Sequence, residues 1–190
     1  MSSIYQPGTP ARERALDALL SKQAISELLC RYCRGIDRCD PATLKSAYWP
    51  DATETHGTFN GNAWEFADYM TDNMRTNMKR SHQQIGNAAI EIEADGIHAR
   101  GETYVTGFMH VDGPDGMMDM IVGGRYLDRY ERRGDEWRIL DRVYVLDWNQ
   151  NLPSTAQWNE GLYKLLQTRG ARAPEDPWNL GLPERRTTVV

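Results

Sequence analysis

Three side chains in the first half of the chain have the chemistry needed to move protons. Tyr32 and Asp37 lie in the segment 31–37, which ends a predicted amphipathic helix, and His82 lies in the segment 80–87. A carboxylate that orients an imidazole makes a general base, and a nearby phenol can polarise a substrate oxygen. Such a set can abstract a proton without a metal or a cofactor, and we predict neither for this chain.

Each of these residues also has a purely structural interpretation. Asp37 could pair with Arg34 or cap its helix, and Tyr32 could be a core residue with a hydrogen-bonded hydroxyl. His82 could be exposed in a loop, because the preceding segment 79–81 is polar. Five residues on an ideal helix separate two side chains by about 140°, so Tyr32 and Asp37 meet only if a pocket wraps the helix end.

Composition narrows the class of protein. A chain of 190 residues with 40% hydrophobic residues and a mean hydropathy of -0.66 is typical of one soluble globular domain. The formal charge of -5, with no basic stripe, argues against a nucleic-acid partner. The sequence has neither a membrane-spanning apolar run nor a signal-peptide pattern at its start, so we predict no membrane partner and a cytoplasmic location.

Cysteine and histidine spacing offers no metal pattern. Cys30 and Cys33 have the spacing of a redox or zinc pair, but both lie in a helical pattern and a second pair is absent, which favours buried thiols. His98 and His110 lack ligand spacing. His56 lies on the first predicted strand and could line a pocket.

The pattern of apolar residues predicts an α+β fold. Helical spacing precedes a long region with period two, which favours N-terminal helices packed in a curved antiparallel sheet. The pattern turns helical from Ala11, and helix starts are predicted near Ser21, Asp40 and Asn62. The predicted strands are 52–59, 88–94, 102–111, 117–133 and 137–148. We divide the chain into an N-terminal arm (1–14), a cone domain (15–152) and a C-terminal helix with an extended arm (153–190).

The same pattern predicts a pocket for a hydrophobic small molecule. Met side chains at helical spacing and one parity of the later strands face the space between helices and sheet. The predicted lining residues are His56, Met70, Met74, Val105, Met109, Met120 and Val122. The opposite parity carries Tyr104 and Phe108, which is apolar for a solvated surface and indicates a subunit contact.

The order of motifs resembles the SnoaL-like branch of the nuclear-transport-factor-like superfamily, over about residues 15–150. The segment 121–137 is similar to hexachlorocyclohexane dehydrochlorinase, and Tyr32 with Asp37 resembles bile-acid dehydratase; scytalone dehydratase belongs to the same group. The resemblance implies a cone-shaped α+β barrel, often assembled as a trimer. It also implies an Asp–His base, which assigns this role to Asp37 and His82, with Tyr32 as the polarising phenol.

The resemblance places Arg142 where the dehydrochlorinase has an arginine that stabilises departing anionic charge. The alternative for Arg142 is a structural ion pair with Asp119 or Asp128. The acidic residue that bile-acid dehydratase carries on its third strand is Gly107 here, which argues against the same substrate.

The position of the histidine departs from the family pattern by one residue. The family histidine lies four residues before position 87, whereas His82 lies five before it and Gln83 takes the expected place. A bulge of one residue would restore the dyad, and without it the dyad is broken.

The sequence therefore predicts a cofactor-independent lyase that removes water or a halide from a hydrophobic cyclic molecule. An isomerase or a polyketide-cyclase-type enzyme could use the same base, because the first proton transfer is similar. A non-catalytic small-molecule binder is the other class, since fold alone does not fix function. We predict a homo-oligomer, with a trimer favoured.

Overall fold

The structure, a computed structural model, describes residue 4 and residues 6–181. Its helices are α1 (Pro10–Arg38), α2 (Pro41–Lys45) and α3 (Ala63–Asn77). Its strands are β1 (Tyr48–His56), β2 (Phe59–Asn62), β3 (Met78–Ile92), β4 (His98–Gly113), β5 (Gly116–Arg133) and β6 (Glu136–Pro153). A short 3-10 helix covers Gly161–Leu165. None of the described helices is long and apolar enough to cross a membrane.

Helix α1 is one continuous helix, where the sequence predicts a helical pattern from Ala11 and a separate helix start at Ser21. It begins at Pro10, where the Thr9 hydroxyl accepts a hydrogen bond from the Arg12 N–H. Ser21, the predicted start, is buried inside the helix. Residues 10–14 of the predicted arm are therefore helical, while positions 1–3 and 5 of that arm and 182–190 of the C-terminal arm lie outside the described residues.

The packing at the end of α1 explains why Gly35 is a glycine. The helix stops at Cys39, whose φ of 48° is left-handed, and α2 then packs directly against the last turn. A Cβ placed on Gly35 would lie 2.7 Å from the backbone nitrogen of Leu44. Gly35 is thus needed for the close approach of α1 and α2, which the sequence alone shows only as a weak helical residue.

The sheet confirms the α+β class and corrects one detail. Its six strands have the order β2-β1-β6-β5-β4-β3, so it is open rather than a closed barrel. Neighbours are antiparallel except β1 and β6, which run parallel. Tight turns force only successive strands to be antiparallel; β1 and β6 are separated by α3 and four strands, so their relative direction is free. Helix α1 packs on β3 and β6, and α3 packs on β1, β2 and β3.

The start of β3, the presence of β2 and the C-terminal segment differ from prediction. Strand β3 begins ten residues earlier than expected because its inward positions include the polar Ser81 and Gln83, which hide the alternation. The short strand β2 is not predicted at all. The expected amphipathic helix near Trp158 is reduced to the single 3-10 turn, and Leu162 and Leu165 within it are exposed.

We expect Gly35→Ala to lower the free energy of unfolding by about 1–3 kcal/mol, because the added methyl overpacks the α1–α2 contact. Helix propensity alone predicts the opposite sign, since alanine is favoured over glycine within a helix. Urea denaturation measures the difference. The matched control is Gly170→Ala, whose Cβ would meet only the Asp176 carboxylate at 3.9 Å. A stabilised Gly35→Ala variant would contradict the packing argument.

Candidate active site

A cavity of about 260 Å³ lies between α1, α3 and the sheet. Its wall is mainly apolar, with methionines from α3 and aliphatic side chains from β4 and β5. Six of the seven predicted lining residues are in this wall: His56, Met70, Met74, Val105, Met109 and Val122. The sequence missed further lining residues, among them Ile36, Met78, Gln83, Tyr126, Tyr144 and Leu146.

Tyr32 brings a hydroxyl to this wall. Its ring is fully buried and packs edge-on against the rings of Tyr48 and Tyr126. The hydroxyl has no hydrogen-bond partner among residues 6–181. Burial raises the pKa of Tyr32, and nearby Glu54 raises it further, so the phenol stays protonated at neutral pH. Tyr32 therefore offers the cavity an unused hydrogen-bond donor.

Arg142 is completely buried behind Tyr32. Its Nε and Nη2 donate to the two carboxylate oxygens of Asp128, at 2.7 and 2.8 Å. The guanidinium lies over the rings of Tyr32 and Tyr126, 4.1 and 3.9 Å from their centroids. Burial opposes the charge, but Asp128 together with Tyr48 and Tyr32 outweighs it, so the pKa of Arg142 is raised. This is the structural ion pair weighed as an alternative, and Arg142 is not among the described residues that line the cavity.

Asp37 is buried at the end of α1. Its Oδ2 accepts the backbone N–H of Gln83 at 2.8 Å, and its Oδ1 is left without a partner in the described structure. Burial raises the pKa of this carboxyl, against the opposing effect of the Gln83 hydrogen bond. The C-terminal segment closes over this region, because Arg172 donates to the Asp37 carbonyl and to the Ser81 hydroxyl.

His82 does not meet Asp37 in this structure. It pairs in register with Phe108 and lies in a hollow on the outer face of the sheet, while Gln83 pairs with Gly107 and faces the cavity. A bulge does occur in β3, between Ile85 and 88, yet His82 remains exposed. The Asp37–His82 base thus stays a prediction that this geometry does not support. Met120, the seventh predicted lining residue, lines the hollow that contains His82 rather than the cavity wall.

The cavity has a different histidine. All four histidines of the chain are described, and His56 alone lines the cavity. Its Nδ1 lies 3.1 Å from Oε1 of Glu54, which is fully buried and also accepts the Tyr48 hydroxyl at 2.7 Å. The sequence reasoning missed Glu54. Its signal was parity, since Glu54 and His56 alternate with exposed residues on a threonine-rich strand and so share the inward face.

Two other groups have ligand-type side chains. Glu93, Asp95 and His98 cluster on the exposed β3–β4 turn, where His98 Nδ1 already bonds to Asp95 at 2.7 Å. We assign no metal to this cluster, because exposed acidic groups need no ion. Cys33 is buried, as predicted, whereas Cys30 is exposed, which corrects the prediction of two buried thiols; both are free.

Comparison with known proteins identifies the family. Residues 17–143 match the SnoaL-like domain, so the chain belongs to the SnoaL-like family, as its motifs indicated. It is 28% identical over 129 residues to hexachlorocyclohexane dehydrochlorinase 1 of Sphingobium indicum, covering 65% of this chain and 80% of that protein.

Solved structures show the same fold. Hexachlorocyclohexane dehydrochlorinase type 3 of Novosphingobium barchaimii superposes with a TM-score of 0.67 at 21% identity, covering 75% of this chain and 97% of that one. A scytalone-dehydratase-like protein of Novosphingobium aromaticivorans gives 0.64 at 16% identity, covering 75% and 94%. The likeness to these structures confirms the cone fold.

We expect Asp128→Asn to lower the free energy of unfolding by about 3–5 kcal/mol, because it leaves the buried Arg142 charge without a counter-charge. Urea denaturation with two spectroscopic probes measures the loss. Asp147→Asn is the matched control, since it breaks the exposed pair with Arg125 and should change stability far less. Equal losses in the two variants would show that the buried pair does not hold this region together.

Proposed function

We propose that this protein is a cofactor-independent lyase that eliminates water or a halide from a hydrophobic cyclic molecule. The observation that carries this proposal is the mainly apolar cavity with the unpartnered Tyr32 hydroxyl in its wall. An apolar ring fits such a wall, and one buried donor can polarise an oxygen or halogen on it. Similarity to hexachlorocyclohexane dehydrochlorinase supports the same class of reaction.

Each polar group near the cavity has a part in this proposal. Tyr32 donates to the substrate, and Gln83, whose Oε1 lacks a partner within the described chain, can accept a hydrogen bond from it. Arg142 acts from behind Tyr32, where its charge favours negative charge that develops on the substrate. Asp37 fixes the β3 backbone at Gln83 and keeps one free carboxylate oxygen. His82 takes part as the base only if β3 shifts its register by one residue.

An isomerase is the second candidate, and one observation favours it. Arg142 does not line the cavity in the described structure, so its cation is not in direct reach of a departing anion. A base with a phenol is sufficient to move a proton next to a carbonyl, and that reaction has no leaving group. Screening alicyclic halides, alcohols and hydroxy-enones separates the two reactions by product analysis.

We expect Tyr32→Phe to lower turnover about tenfold, the value of one neutral hydrogen bond, without loss of stability. The variant removes a buried hydroxyl that lacks a partner and leaves the ring packing intact. Tyr130→Phe is the matched control for stability, because the Tyr130 hydroxyl donates to Asp128 at 2.6 Å and its loss should destabilise. Wild-type turnover in Tyr32→Phe would remove this residue from the mechanism.

We also propose a homo-oligomer, with a trimer favoured and a cytoplasmic location. The outer face of the sheet exposes Tyr104, Phe108 and Trp148, between 40% and 50% accessible. Light scattering at micromolar concentration should report three copies of the 21.7 kDa chain. Phe108→Lys should shift the population towards monomer, because it places a charge on this face. A wild-type monomer would contradict the proposal.

A further inference from the structure

We infer that Glu54 and His56 form the proton-transfer dyad of the cavity, with His56 Nε2 as the base and Glu54 as its positioning residue. This inference rests on the proposed function for the reaction, but its geometry stands independently. It assigns the base to β1, a strand for which the sequence predicted only a lining histidine.

The Glu54 carboxylate determines which nitrogen of His56 is free. Oε1 of Glu54 lies 3.1 Å from Nδ1, and an ionised carboxylate only accepts, so Nδ1 carries the proton. Nε2, on the other side of the ring, then has the lone pair and points away from Glu54. A neutral imidazole held in this tautomer can take a proton from a substrate in the cavity.

Two aromatic rings fix the plane of the imidazole. His56 stacks on Tyr144, with centroids 4.4 Å apart and an interplanar angle of 11°, and on Phe66 at 5.2 Å and 23°. Tyr48 holds the other oxygen of Glu54, so the carboxylate cannot rotate freely. The ring is 22% exposed at its side chain, which leaves it accessible from the cavity. Such fixed placement is what a general base requires.

The charges around Glu54 stabilise the imidazolium that the reaction forms. Glu54 pairs in register with Arg142, which is already neutralised by Asp128. One cation thus lies between two buried carboxylates, and a second cation is needed for neutrality. The imidazolium that forms when His56 takes a proton supplies it. The base is therefore stabilised in its product state, in a region where burial makes each charge interaction strong.

The elimination balances with these groups. His56 Nε2 takes a proton from a ring carbon, and the electron pair of that C–H bond forms the new C=C bond. The leaving group departs from the adjacent carbon with the electron pair of its own bond. A halide leaves as the anion and the imidazolium returns its proton to solvent; a departing hydroxide takes that proton and leaves as water. In an isomerisation the imidazolium returns the proton to another carbon.

The kinetic test compares histidine variants on any substrate that the screen identifies. His56→Gln can still bond to Glu54 but cannot act as a base, so kcat should fall about a hundredfold to ten-thousandfold with little change in KM. The kcat of Glu54→Gln should fall by up to about ten-thousandfold, and Glu54→Asp should recover part of that lost kcat. His98→Ala, on the exposed turn, is the matched control. A His56→Gln variant with wild-type kcat, or loss in His82→Ala instead, would overturn the inference.

A second measurement needs no substrate. In protein labelled with ¹⁵N-histidine, the resonances of His56 are those that vanish in His56→Gln. At neutral pH they should show a protonated Nδ1 and an unprotonated Nε2, and Glu54→Gln should reduce the fraction with this tautomer. A proton on Nε2 in the wild type would overturn the dyad. If the tautomer is as expected but the screen yields no turnover, the proposed elimination fails while the arrangement of the dyad stands.

Discussion

The buried ion pair of Arg142 with Asp128 is the constraint on which the cavity depends. Both side chains are inaccessible to solvent, and a charge at that depth persists only with a well-aligned partner. The two residues face each other in the β5–β6 register, so the pair also fixes these strands relative to each other. The guanidinium plane in turn fixes the rings of Tyr32 and Tyr126, which form one wall of the cavity.

That wall contains buried polar atoms without hydrogen-bond partners, which lower the stability of the folded protein. Unpaired atoms of this kind are typical of a binding site. The hydroxyl of Tyr32 and Oε1 of Gln83 line the cavity and are buried without partners in the described part of the chain. Each such atom costs about 1–3 kcal/mol relative to a satisfied one. Folded proteins rarely leave such atoms unpaired. A ligand that supplies donors and acceptors would recover part of that free energy on binding.

The fold could be predicted because its signals are local and regular. Helical spacing in α1 and α3 and period two in β4 to β6 each follow from one buried face. The parallel contact of β1 with β6 could not be predicted, since it joins distant segments without a turn to fix their direction. The first ten residues of β3 were not predicted because the inward side chains there include Ser81 and Gln83, which are polar.

The candidate site was less predictable, because a shift of one residue moves a side chain to the other face of a strand. His82 and Gln83 illustrate this, because the resemblance that favoured His82 does not show which face of the strand each residue occupies. The methionines of α3 and the valines of β4 and β5 were easier, since they lie in regularly alternating segments whose buried face is clear. Glu54 was missed because a buried carboxylate is rare and the strand pattern alone gives it no partner.

Two buried carboxylates flank the cavity, and their partners divide their roles. Burial raises the pKa of both Asp37 and Glu54, which makes each a stronger base than an exposed acid. Asp37 accepts a hydrogen bond from the backbone N–H of Gln83. This bond favours the charged form of the carboxyl and holds Asp37 against β3. Glu54 accepts a hydrogen bond from the imidazole of His56, which lines the cavity. The carboxylate thereby makes the other ring nitrogen of His56 a better proton acceptor. The same residue type therefore anchors a strand at one end of the cavity and directs a proton acceptor at the other.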